Sequence, residues 1–124
     1  LEDELLDHSL GTGSWATPAA VYVGAHISDP GEDDSGTELS YTSYARQVAT
    51  FGASSGGSAS NTGALSFPAV DTGQAPGSDV THFGIYDAAT NGNLLYYGAL
   101  DAAQTLQVGS ELKFAIGAIT VTLT

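Results

Sequence analysis

Five carboxylates crowd residues 28–38, SDPGEDDSGTE: Asp29, Glu32, Asp33, Asp34 and Glu38. Paired carboxylates in a cleft hydrolyse glycosides, one acting as acid and the other as base or nucleophile. These five share a loop rich in Gly, Ser and Asp, and crowding without burial raises no carboxyl pKa far enough for acid catalysis. Calcium is a better use of oxygen ligands on a loop. The EF-hand spacing nevertheless fails, because twelve positions counted from Asp29 end on Ser40, and the sixth is Asp34 rather than Gly31 or Gly36. The segment reads as a solvated connection, with a bound cation as the alternative.

The other candidate groups point away from catalysis. No pair among His8, His26 and His82 stands at metal-ligand spacing, and two of them fall in expected strands, which favours structural roles. No serine occupies a Gly-x-Ser-x-Gly elbow. The glycines of SSGGSASNTG do not follow a strand and open a helix, so no phosphate cradle is expected. Neither catalytic residue, cofactor nor metal ligand is assigned. Arg46 is one of two fixed cations facing fourteen acidic residues and lies in an expected strand. Its expected role is an ion pair, bidentate with a carboxylate of the 29–38 loop and pinning that loop to the sheet; a contact across a subunit boundary is the second choice. Tyr22, Tyr41, Tyr44, Tyr86, Tyr96 and Tyr97 suit either a carbohydrate platform, a protein interface or the margin of a core.

The elements that position these groups are mostly strands. Leu1, Leu5, Leu6 and Leu10 fall on one stripe of a helical wheel, with Glu2, Asp3, Glu4 and Asp7 around them and Gly11 placed to cap the end, so residues 1–10 are expected to form a short amphipathic helix. Residues 11–19 form a small-residue linker carrying Trp15, the sole tryptophan. Strict alternation then marks a strand over 20–27, with Val21, Val23, Ala25 and Ile27 on one face and Tyr22, Gly24 and His26 on the other. A second strand is expected over 44–51, a long exposed loop over 52–63, and a third strand over 64–70 in which Pro68 implies an edge or bulge. The segment DTGQAPGSD, 71–79, reads as a turn-rich connection.

The clearest local signal is THFGIYDAATNGNLLYYGAL, 81–100, where Asn91 and Gly92 supply the positive φ angles of a hairpin between strands 80–86 and 94–100. A second hairpin is expected from 105–108 and 112–123 around Gly109 and Ser110. Its last strand changes phase between Ile116 and Ile119, which places a bulge at Gly117 and Ala118. About seven strands separated by turn signals give an all-β fold, an antiparallel β-sandwich or jelly roll with a short N-terminal helix, in one domain spanning 1–124 with the β-sandwich over 20–124.

Composition narrows the partners. A net charge of −12 would repel a phosphate backbone, and two Lys and Arg side chains give little to anionic lipid, so neither nucleic acid nor membrane is expected as a partner. No apolar run approaches the roughly 20 residues of a membrane span. The absence of cysteine excludes disulfides and thiolate sites. LEDELLDHSL has neither a basic n-region nor a cleavage site and is not expected to be a signal peptide.

Across nearly all of its length the chain resembles a family of small virion structural proteins of tailed bacteriophages, the tail fibre or head decoration proteins. The resemblance runs through AVYVGAHISDPGEDDSGTELS, YARQVATFG, SFPAV, THFGIYDAATNGNLLYYGAL and the closing ITVTL. It implies a non-enzymatic structural role in the virion. The expected function is a capsid decoration or cement protein that binds the head shell, with the major capsid protein or copies of itself, as dimer or trimer, for partners. A tail-associated or fibre subunit is the alternative, and a calcium-dependent glycan-binding adhesin the third reading. Leu5, Leu6, Leu10 and Trp15 are the expected partner contacts.

Overall fold

A computed structural model describes residues 1–71 and 79–123. Its elements in chain order are α1 (Glu2–Leu10), β1 (Val21–His26), β2 (Gln47–Ala49), β3 (Ser58–Ser60), β4 (Leu65–Ser66), β5 (Asp79–Tyr86), β6 (Leu94–Thr105), β7 (Lys113–Phe114) and β8 (Thr120–Thr122). Every ladder is antiparallel. One four-stranded sheet has the order β2-β1-β5-β6, and two ribbons pair β3 with β8 and β4 with β7. The fold is all-β with a short N-terminal helix. Of the turn-rich connection expected over 71–79, residues 72–78 lie outside the described residues.

Alternation in β1 and β5 separates the two faces of the main sheet. Val23, Ala25 and Ile85 point to a core completed from the ribbons and their flanks by Leu65, Phe67, Leu112, Phe114 and Ile119. Phe83 meets Phe114 edge to face at 6.5 Å, tying β5 to β7. Such a pair adds about 1 kcal/mol beyond the area it buries. On the opposite face Tyr22 stands across from Tyr86, Gly24 from Gly84 and His26 from His82. The two glycines leave a hollow there, which other side chains fill.

Several expected boundaries shift, each for a physical reason. The second strand shrinks from 44–51 to Gln47–Ala49, because the edge of β1 is shared by two segments. Gln47–Ala49 pairs with residues 21–23, whereas Leu39 N–H donates to Ala25 O at 2.9 Å and Ile27 N–H to Thr37 O at 2.9 Å. The expected loop 52–63 contains β3, since Gly56 and Gly57 take positive φ and turn the chain so that Ser58–Ser60 finds a partner in β8. Pro68 has no N–H to give, and the strand expected over 64–70 keeps only two ladder residues. Its extension still runs beside the far segment, with Phe67 N–H on Leu112 O at 2.9 Å and Val70 N–H on Ser110 O at 2.8 Å.

The expected hairpin of 105–108 with 112–123 does not form. Thr105 belongs to β6, and β7 and β8 pair with β4 and β3. Between them, where a bulge is expected, Ala118 N–H donates to Ala115 O at 3.0 Å in a β-turn whose third residue, Gly117, has φ 78°. The hairpin of β5 and β6 forms with Asn91 at φ 54° and Gly92 at φ 71°. Its connection is longer than a two-residue turn, because Asp87 Oδ1 accepts Asn93 N–H at 2.7 Å and closes the loop below those residues. In α1, Gly11 caps the C-terminus at φ 77°, as its position implies, but no helix residue is fully buried.

Candidate functional site

The gap where one segment hands β1 to the next begins a polar cluster. Gln47 has already left the ladder there, and although Ala25 O accepts Leu39 N–H, Ala25 N–H donates to a side chain, the Tyr44 hydroxyl, at 3.1 Å. Tyr44 in turn donates to Glu38 Oε2. The same carboxylate receives Arg46, Nε to Oε2 at 2.9 Å and Nη2 to Oε1 at 2.9 Å, the parallel two-bond geometry that a planar guanidinium allows. Arg46 Nη1 donates to two carbonyls of the hairpin loop, Ala88 at 3.0 Å and Asn91 at 2.8 Å. One side chain therefore ties the 37–46 segment to the tip of β5 and β6.

Tyr86 anchors the other side. The Arg46 guanidinium lies over its ring, 3.4 Å from the centroid, an arrangement in which the π-face attracts the cation. The Tyr86 hydroxyl donates to Asp34 Oδ1 at 2.7 Å and stands 2.9 Å from His26 Nε2. With its hydrogen spent on Asp34, that hydroxyl accepts from Nε2–H of neutral His26, which assigns the tautomer through the network and leaves Nδ1 as a buried lone pair with no hydrogen-bond partner. Gly24 makes room for the cluster: a Cβ there would stand 2.6 Å from Glu38 Oε2 and 3.2 Å from the Tyr44 oxygen.

The titrating groups are held in single states. Burial alone would raise the Glu38 carboxyl, but hydrogen bonds from Arg46 and Tyr44 outweigh it and hold the group below its usual range. Burial lowers His26, against the attraction of Glu38 and Asp34. Burial, and then the hydrogen bonds to Glu38 and Asp34, push Tyr44 and Tyr86 upward. At neutral pH the cluster is an ionised carboxylate and guanidinium with a neutral imidazole and two neutral phenols. A general acid needs a carboxyl raised toward neutrality, whereas Glu38 is shifted the other way. This geometry holds two loops together.

The acidic loop splits its work. Asp29 Oδ1 accepts Gly31 N–H at 2.9 Å and Asp33 Oδ1 accepts Ser35 N–H at 3.2 Å, while Asp34 and Glu38 turn to Tyr86, Tyr44 and Arg46. Among the described residues no three His, Asp or Glu side chains gather as a metal-binding group. The cluster's tyrosine and histidine members carry no local sequence signal of a shared site; adjacency of Tyr44 and Arg46 to the acidic loop is the only hint.

The residues expected to contact a partner are dispersed. Leu5 is half-buried, and Leu6 and Leu10 are 56% and 73% exposed on α1. Trp15 is half-buried and lines an apolar groove of about 270 Å³ with Val21, Phe51, Tyr96, Val121 and Leu123; none of the three leucines lines it. Among the described residues no helix is long and apolar enough to cross a membrane.

Fold and cluster together define a small all-β module whose buried charges fix its loops. The family model described as podophage GP4 fiber I protein gp80 matches residues 1–122, and the chain belongs to that family of phage fibre proteins. It is thus a virion structural protein in class. No curated protein matches the chain.

Proposed function

We propose that this chain is a non-enzymatic subunit of a fibre on the phage particle, working as a rigid β-module. The match to a fibre protein over residues 1–122 carries this reading. It moves the weight from the head shell, the first expectation from sequence, to the fibre alternative. The structure is compatible in kind: the cluster that could have held carboxylate chemistry is spent on fixing a hairpin tip. Leu6 and Leu10 on α1 then serve attachment within the fibre, with copies of the same chain as the first partners.

Cryo-electron microscopy of intact particles, with the chain tagged for labelling, tests this reading. Label and β-module density on projecting fibres are expected. Regular copies confined to the head shell would instead make it a cement protein bound to the major capsid protein, and absence from the particle would overturn any virion role.

A further inference from the structure

The two edges of the four-stranded sheet are built unlike each other. One is β2, three residues long, whose flank turns away at once into the ladder toward β3. The other is β6, twelve residues long, hydrogen-bonded to β5 on one side and to no strand on the other among the described residues. Natural edges are blunted by brevity, lysine, proline, an inward charge or a β-bulge. Residues 96–99, YYGA, have none of these, the register shifts against β5 falling on either side of them. Both faces of this stretch are apolar, the composition of an interior strand, yet none of its residues is fully buried.

We propose that β6 pairs edge to edge, antiparallel, with β6 of a second copy of this chain across a twofold axis at Tyr97. Residue numbers then sum to 194 across the axis. Tyr96 stands opposite the partner's Gly98 on either side of the axis, within the regular stretch 96–99. The bulky Tyr96 thus meets the smallest residue of the strand, and an aromatic covering a cross-strand glycine is a favourable pair in a sheet. The faces are consistent with the sheet already formed. Tyr96 and Gly98 lie across from Ile85 and Phe83 toward the core, and Tyr97 and Ala99 across from Gly84 and His82 on the outer face. Both cores would continue across one eight-stranded sheet.

Charge also selects this place and this occupant. Two copies at net charge −12 approach most cheaply where neither carries charge, and 94–100 is a neutral run. Asp101 is the only charged residue in β6, and in this register the two Asp101 side chains are eight residues apart along the strands, roughly 26 Å. That is well beyond the Debye length of about 8 Å at physiological salt. The pairing stands independently of where the particle carries the chain.

Analytical ultracentrifugation with amide hydrogen exchange on the intact chain tests it. The wild type should sediment as a dimer or an even multiple, with consecutive amides of 94–100 protected, whereas a free edge leaves alternate amides open. Tyr97→Glu, which sets two charges face to face at the axis, should weaken association at least about tenfold; Tyr97→Phe should retain it. A monomer, an odd-numbered assembly, or an assembly whose alternate 94–100 amides exchange fast overturns the proposal. So does Tyr97→Glu associating as the wild type does. Exchange on the wild type alone decides the matter if that variant fails to fold.

Discussion

Two buried polar groupings hold the loops of this molecule, one neutral and one ionic. Asn61, 2% exposed, uses its amide on three partners: Nδ2 donates to Gly63 O at 2.9 Å and to Ala115 O at 3.0 Å, and Oδ1 accepts Ile119 N–H at 2.9 Å. Its backbone adds Gly117 N–H on Asn61 O at 3.0 Å. The Arg46 cluster does similar work at the hairpin tip with two carboxylates, a guanidinium, two phenols and an imidazole. A satisfied amide has no protonation state to lose, whereas the ionic cluster persists only while Glu38 is charged and His26 is not. The two groupings should answer differently to acid.

Removing one charge from the ionic grouping should cost most. Glu38→Ala strips the carboxylate from a guanidinium only 9% exposed and leaves the Tyr44 hydroxyl without its acceptor. Breaking a buried pair from one side costs about 3–5 kcal/mol, and Glu38's own partial exposure, 23%, puts the expected loss near the lower figure, about 3 kcal/mol. Urea unfolding at pH 7 measures it. A loss under about 0.5 kcal/mol, the usual scale of an exposed pair, would mean that the cluster does not hold the loops.

Asn61→Ala should cost somewhat less, about 2 kcal/mol, because it orphans the neutral Ile119 N–H and two carbonyls without stranding a charge. Its cost should be the same at pH 7 and pH 5. Asn61→Asp sharpens the contrast by placing an acceptor where Nδ2 had faced two carbonyls. That variant should gain stability as its carboxyl protonates, opposite in sign to the ionic grouping of the wild type.

For the wild type the sign follows from both shifts. His26 is lowered in the folded state, so below its ordinary value of about 6.5 the unfolded chain takes up a proton that the folded chain refuses. Glu38 is also lowered, and its stabilisation, complete above about 4.3, drains as pH falls toward the folded value. Stability should therefore decline from just below pH 6.5 and more steeply below pH 4.3. In Glu38→Gln the second part of the decline should be weaker, by roughly 5 °C in Tm at the acid end. Parallel pH profiles for wild type and variant would remove Glu38 as a titrating element of stability.

How much of this was legible depended on whether a contact is local. Alternation over 20–27 places Val23 and Ala25 in the core, Asn91 and Gly92 mark their turn, and Gly11 marks a helix end, because each signal lies within a few residues of its effect. Ser58–Ser60 reads as a loop because its partner, Thr120–Thr122, is about sixty residues away and neither segment carries an apolar run. Arg46 stands out by rarity, one of two fixed cations among fourteen acids, yet its two bonds to Ala88 and Asn91 are set by how β1 and β5 lie together. Tyr44 is harder still, since it fills a vacancy that exists only because two segments divide the edge of β1.

The smallest test separates backbone from crowding at two glycines, one in each grouping. Gly117 has φ 78°, and a Cβ added there would meet no atom within 4 Å, so Gly117→Ala incurs only the cost of a left-handed residue, about 1 kcal/mol. Gly24 lies outside the left-handed region, and its added Cβ would press on Glu38 Oε2 at 2.6 Å, the end of a side chain that can yield only by leaving Arg46 or Tyr44. Both variants therefore lose about 1 kcal/mol or slightly more at pH 7. The loss in Gly117→Ala should be constant down to pH 4. The loss in Gly24→Ala should shrink as Glu38 protonates and the wild-type cluster itself weakens, and equal pH dependence in the two variants would erase the distinction between the neutral and the ionic grouping.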